Sequence, residues 1–302
     1  MDFVSESPVE RLTDARAFVP SFGGSQANTA VAAARFGARA ALVGSAGTDP
    51  WGEWLRAGIE AEGVDVSMYE LREEVPTTMA FVALSLEGEP SFSIYGGAEQ
   101  GFLGHLESSL RSLLERGPPG VLAFGSDTLI APPDREVVAS LKTLSAKRGW
   151  RVLYDPNLRD DRWHDRRAML EIARDALVGV TVVKANAVEA IALTGERGPY
   201  EAAATLVRLG PRQALVTCGG EGAVLSGPGS VVQIPAEHAE VVDATGAGDA
   251  VAGVLAAGLA RDGEVTPALA AVAMRVAARV VAVRGALTGL PRPAEARALL
   301  AG

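Results

Sequence analysis

Residues 243–256 read DATGAGDAVAGVLA. Gly246, Ala247 and Gly248 stand directly ahead of Asp249, and an unbroken run of small apolar residues follows. Glycine adopts backbone conformations that other residues resist and lets a ligand approach the main chain closely. The alanine- and leucine-rich sequence over 250–260 predicts a buried helix. The expected picture is a glycine turn opening a helix, with Asp249 at the helix mouth. Helix N-termini leave N–H groups unpaired and carry partial positive charge, so they suit phosphate. An aspartate there has two readings: a capping carboxylate, or a base that takes a proton from a substrate hydroxyl. The turn is not a Walker loop, because no Gly-Lys-Ser/Thr follows. Its spacing and late position also rule out a dinucleotide fingerprint, and with it a dehydrogenase.

Working outward, the chain upstream alternates strands and helices. VLAFGS (121–126), RVLYDPN (151–157, a strand ended by its Asp-Pro), VTVVKAN (180–186) and QALVTCGG (213–220) read as buried strands. Helical patterns fall between them at 133–147, 166–176, 187–194 and 200–209. Short apolar strands alternating with helices imply a mostly parallel α/β sheet covered on both faces, a Rossmann-like three-layer arrangement. Ligands then bind where the carboxyl ends of the strands line up. Nearer the start, GGSQANTAVAAARFGARAALVGSAG (23–47) gives a glycine loop, a small-residue helix and a strand. TTMAFVALSLEGEPSFSIYGG (77–97) alternates polar and apolar residues around a Glu-Gly turn, the pattern of a hairpin. The expected organisation is one domain over 1–302 with an inserted β lid at 65–97, to which residues 1–20 can add.

Bulk properties narrow the partners. A net charge of −9 argues against nucleic acid or an anionic membrane, yet leaves a phosphorylated small molecule open. With a single cysteine, Cys218, no intrachain disulfide forms, and the widely spaced His105, His164 and His238 do not build a zinc site. Arg275, Arg279 and Arg284 interrupt the longest apolar run, so no membrane span is expected. MDFVSESPVERL has neither the basic nor the apolar region of a signal peptide, and a cytoplasmic location is the expectation.

Four further segments fall at predicted strand ends or helix starts: GGSQAN (23–28), DPNLR (155–159), KANAVE (184–189) and TCGGEG (217–222). Each alone reads as a turn or a cap. Together with VGSAGTDPWG (43–52) and DATGAGDA (243–250), their order along nearly the whole chain resembles the ribokinase-like (PfkB) carbohydrate kinases. The resemblance implies a ribokinase-like fold and an ATP-dependent sugar kinase. It makes Asp249 the catalytic base and Gly246, Ala247 and Gly248 an anion hole for the transferring phosphoryl group. Asp2, Gly24, Asn28 and Arg159 correspond to acceptor contacts, and Asn186, Thr217, Gly219 and Gly222 to nucleotide contacts. Asn186 and Glu189 match an Asn-x-x-Glu motif that helps place Mg²⁺ through water. A K⁺ ion near the 243–249 loop and a homodimer formed through the lid are implied as well.

Three departures from the family pattern bear on these expectations. The sequence is most similar to the fructokinase and 2-keto-3-deoxygluconate kinase branches, which often carry a Tyr-Arg pair at the end of the lid strand; here Tyr95 precedes Gly96. Without that arginine a bidentate contact to an acidic sugar is harder to build, which favours a neutral hexose. Val251 replaces the usual Phe after Asp-Ala, a core change that repacking accommodates. The family also has a strand ahead of its sugar-binding aspartate, whereas Asp2 stands at the start of this chain. The reading expects either a start further upstream or a sheet without that strand. A ribokinase or nucleoside kinase is a rival within the family. A non-catalytic ligand-binding member is the rival from another class, and the intact Asp249, Asn186 and Glu189 argue against it.

Overall fold

In the computed structural model, which describes residues 1–21, 23–96 and 101–301, the chain divides into two units. One holds Met1–Gly97, His238–Ala257 and Arg275–Gly302; the other holds Ala98–Glu237 and Gly258–Met274. Gly97, at the end of the expected lid, lies outside the described residues.

The first unit starts with strands β1 (Asp2–Ser5) and β2 (Phe18–Ser21), then helix α1 (Ser25–Arg35). Strand β3 (Gly44–Gly47), helix α2 (Pro50–Ala61) and strand β4 (Tyr69–Arg72) follow, and the expected hairpin is β5 (Met79–Leu84) and β6 (Pro90–Tyr95). Gly88 turns the hairpin at a φ of 77°, in the Glu-Gly pair read from sequence. β1 starts at Asp2 and lies between β2, antiparallel, and β5, parallel, so the sheet order is β2-β1-β5-β6. Residue 2 therefore sits in the interior of a four-stranded sheet. One face of that sheet buries Val4, Val82 and Leu84 under Phe92. The other carries aromatic rings: Phe3 stacks on Phe81 at 5.2 Å, and Phe18 and Tyr95 meet Phe81 edge-on. β4 pairs with β3 in a separate two-stranded parallel sheet.

Asp49 anchors the root of the hairpin. Its Oδ1 accepts from the N–H groups of Trp51 and Gly52, capping α2, and its Oδ2 accepts from the Thr77 N–H just ahead of β5. Burial alone would raise its pKa, but the bonds from Thr77, Gly52 and Trp51 outweigh that and hold it below the usual aspartate value.

The second unit runs α3 (Leu103–Arg116), β7 (Val121–Gly125), α4 (Pro132–Lys147), β8 (Arg151–Asp155) and α5 (Arg166–Asp175). It continues through β9 (Val182–Asn186), α6 (Ala187–Thr194), α7 (Pro199–Leu209), β10 (Gln213–Thr217), β11 (Ala223–Gly227) and β12 (Ser230–Ile234). Strands β7 to β10 are parallel neighbours in chain order, and β11 and β12 add antiparallel strands beyond β10. Consecutive residues Val152, Leu153 and Tyr154, and Ala214, Leu215 and Val216, are all buried. Both faces of those strands are covered, which is why they read as unbroken apolar runs rather than as alternation. Each such Val or Leu contributes roughly 1.5–3 kcal/mol by leaving water.

The strand ends fall in the segments that the sequence marked for them. β8 ends at Asp155, since Pro156 has no N–H for a ladder and Asn157 turns left-handed at a φ of 42°. β10 ends at Thr217, because Gly219 and Gly222 take positive φ. Helices α8 (Ala247–Asp262) and α9 (Pro267–Val281) each contribute residues to both units, and α10 (Pro293–Ala301) belongs to the first. α8 starts three residues earlier than expected, so Ala247, Gly248 and Asp249 form its first turn.

Candidate active site

The predicted site residues form two clusters, one in each unit. In the first unit the loop ahead of α8 is fixed by Asp243, which is fully buried. Its Oδ1 accepts from Thr245 N–H and its Oδ2 from Gly285 N–H, both at 2.9 Å. Gly246 then turns at a φ of 80°, and a Cβ there would lie 2.5 Å from that of Ala286. Conformation and space both require glycine at this position. The turn delivers Ala247, Gly248 and Asp249 to the start of a sixteen-residue helix, whose first N–H groups lack intrahelical partners by geometry.

Asp249 meets α1. Its Oδ1 accepts from the Ser25 hydroxyl at 2.6 Å, and its Oδ2 from the Asn28 amide at 2.9 Å. The Thr29 hydroxyl donates to the Asp249 carbonyl at 3.4 Å. Asn28 is buried, and its Oδ1 has no partner among the described residues, so it retains an acceptor for a ligand hydroxyl. Asp2, also buried, lies directly over the glycine pair: a Cβ on Gly23 would fall 2.0 Å from Asp2 Oδ2. Gly24, at a φ of 113°, is the residue from which α1 starts. Asp2, Gly24, Asn28 and Asp249, predicted from three separate segments, thus share one unit and one corner of it. Ser25 escaped the sequence reading. The available signal was its spacing, since residues three apart share a helix face and Asn28 was already singled out.

The second unit gathers the other set at the carboxyl ends of β8, β9 and β10. Asn186 ends β9 opposite Thr217 of β10. Asn186 and Glu189 form a capping box: Asn186 Oδ1 accepts from Glu189 N–H, and Glu189 Oε2 accepts from Asn186 N–H. Glu189 Oε1 accepts from the Leu158 N–H, tying the DPNLR segment and Arg159 to the start of α6. Beneath them Asp155 and Lys184 make a buried ion pair at 2.9 Å. Burial, reinforced by the charges of Glu189 and Asp155, pushes the Tyr154 phenol far above its usual pKa. After Thr217 the chain closes a tight turn in which Cys218 N–H donates to the Gly222 carbonyl at 2.7 Å. A Cβ on Gly222 would lie 2.1 Å from the Ile234 carbonyl oxygen. Among the described residues no group of three or more His, Cys, Asp or Glu is arranged to hold a metal, and no helix is long and apolar enough to cross a membrane.

Comparison with known proteins matches this arrangement to one family. Residues 1–293 match the pfkB family carbohydrate kinase. The chain is similar to fructokinase-1 of Oryza sativa subsp. japonica, with 33% identity over 87% of this chain and 81% of the relative. It superposes on a fructokinase from Vibrio cholerae O395, solved with fructose, ADP and calcium, at a TM-score of 0.84 and 27% identity, covering 99% and 95% of the two chains. An aminoimidazole riboside kinase from Salmonella enterica, solved with aminoimidazole riboside and an ATP analogue, matches at 0.81 and 26% identity over 99% and 96%. With an aspartate and a glycine turn at one helix start and a capping-box motif at a parallel sheet edge, the chain belongs to the PfkB family of carbohydrate kinases, enzymes that phosphorylate a sugar hydroxyl from ATP.

Proposed function

We propose that the acceptor is a neutral ketohexose, with fructose the first candidate, and that Asp249 is the base. The observation that carries this reading is the Asp249 carboxylate, oriented through both oxygens at the first turn of α8. In the transfer the acceptor O–H gives its proton to Asp249 while its oxygen bonds to the γ-phosphorus, and the bond to the β-phosphate oxygen breaks to release ADP. The backbone N–H groups of Gly246, Ala247 and Gly248 stabilise the charge on the moving phosphoryl group. Asp2, Gly24 and Asn28 take the sugar, with Arg159 as a further contact. Asp2 and the open Asn28 Oδ1 offer acceptors, which suit a polyhydroxyl ligand and disfavour a carboxylate.

Asn186, Thr217, Gly219 and Gly222 take the nucleotide. Each Glu189 oxygen accepts one backbone N–H and keeps a lone pair, which fits an Mg²⁺ held through its waters. Bound there, Mg²⁺ would neutralise phosphate charge. K⁺ near the 243–249 loop belongs to the same reading, as do a cytoplasmic setting and the joint action of the two units as one kinase domain. The β2-β1-β5-β6 sheet serves as the sugar lid, and its aromatic face pairs two copies of the chain.

The test is an ADP-release assay with Mg·ATP and fructose, 2-keto-3-deoxygluconate, ribose, glucose, inosine and adenosine. The expected outcome is turnover on fructose, with Asp249→Asn lowering kcat by ~10²–10⁴ and leaving ATP affinity intact. Preference for the keto-acid would overturn the acceptor, preference for a nucleoside would favour the rival within the family, and near-normal turnover in Asp249→Asn would remove the base.

A further inference from the structure

We propose that Ser25 is a positioning residue for this kinase, one that orients the Asp249 carboxylate for proton transfer without touching the sugar. The inference rests on the reading of Asp249 as the base. Gly24 caps α1 without a side chain, and Ser25, the first residue of the helix, stands one position inside the place where a serine caps an N–H. Its hydroxyl is directed instead at Asp249 Oδ1, at 2.6 Å, within the range of a charge-assisted O–H···O⁻ bond.

The reach of so short a side chain depends on how closely two helices approach. Gly253, four residues after Asp249 and on the same face of α8, is the point of contact. A Cβ there would lie 2.3 Å from that of Ala32 and 2.6 Å from the Thr29 carbonyl oxygen. Ser25, Asn28, Thr29 and Ala32 recur at helical spacing along the facing stripe of α1. The glycine seam brings the backbones together, and the serine and asparagine at its end grip one carboxylate oxygen each. Two donors fix the plane of a group that otherwise rotates about its Cα–Cβ and Cβ–Cγ bonds. Each oxygen keeps a second acceptor site, so the incoming sugar hydroxyl finds a lone pair already aimed. Ser25 keeps its own proton throughout, and the proton moved is that of the acceptor. Asn28 differs in kind, since its free Oδ1 is available to the sugar.

The distinction is readable in kinetics. The full chain is assayed with Mg·ATP and fructose, or with the acceptor of highest turnover in the panel if fructose gives none. Ser25→Ala is expected to lower kcat about tenfold, the loss of one charge-assisted hydrogen bond, with the KM for sugar and for ATP within about threefold of wild type. Ser25→Thr, which keeps the hydroxyl, is expected to restore most of kcat. Melting curves accompany each variant, and if the alanine variant fails to fold, Ser25→Cys replaces it, with the same loss expected. Wild-type kcat in a folded Ser25→Ala, a loss confined to sugar KM, or a folded threonine variant no better than alanine would each overturn the proposal. Asp249→Asn separates the two levels: if it turns over normally, the base reading fails and takes this inference with it. If Asp249→Asn is inactive while Ser25→Ala is normal, only the role of Ser25 falls. Silence of the wild type on every acceptor overturns both.

Discussion

Asp2 and Gly23 show how much a site can depend on an atom that is missing. The Asp2 carboxylate occupies the space a side chain at Gly23 would need, with 2.0 Å between the hypothetical Cβ and Oδ2. Gly23→Ala therefore cannot be accommodated by small adjustments, and the carboxylate must move. The expected outcome is a KM for the sugar raised about tenfold or more, with the KM for ATP unchanged, read by varying each substrate in turn. At this scale the sequence reading reached Asp249, Asn28 and the glycines because their types are unusual where they stand. It did not reach Ser25, since a serine after two glycines is ordinary, and its partner lies 224 residues away.

Among the elements, the far end of α1 is held as firmly as its start. Arg35 is buried, donates from Nε and Nη2 to the two oxygens of Glu62, and donates from Nη1 to the carbonyls of Leu287 and Leu290. The hydrogen bonds from Arg35, followed by its charge and that of Arg292, keep the Glu62 pKa below its usual 4.5. A carboxylate with a lowered folded pKa adds stability that is fully present above the unfolded value. That stability is lost as pH falls from about 4.5 through the folded value. Arg35→Met should cost about 2 kcal/mol near neutral pH, because it leaves a half-buried glutamate with only Arg292 as its ion-pair partner and removes the donor to two carbonyls. Its loss of stability on acidification below pH 4.5 should be shallower than that of wild type, as measured by urea melts across pH 3–7. The elements themselves were largely legible: β7 to β10 and the helices between them follow from apolar runs and their punctuation. Their ends were legible where punctuation is strong, as at Asp155-Pro156 and the glycines after Thr217, and less so at α8, whose first turn takes in Ala247, Gly248 and Asp249.

For the molecule as a whole, the four-stranded sheet of the first unit keeps one face aromatic, with Phe3, Phe18 and Tyr95 each packed against Phe81 and Tyr95 60% exposed at its margin. If a second copy covers this face, Tyr95→Asp should convert a dimer to a monomer in sedimentation or light scattering while leaving the melting temperature of the isolated chain nearly unchanged. A wild-type chain that sediments as a monomer would end that reading. The sequence by itself determined the family, through the order of its motifs, the glycine turn ahead of Asp249 and the parallel strands of the second unit's sheet. These rest on local facts: residue type, spacing and periodicity, which the chain carries before it folds. The tertiary structure alone decided that β1 joins the hairpin sheet, that Asp2 rests on Gly23, and that Gly253 lets α8 approach α1 until Ser25 meets Asp249. Those are contacts between segments far apart in the chain, fixed by how closely two backbones pack, and no window of sequence contains both partners.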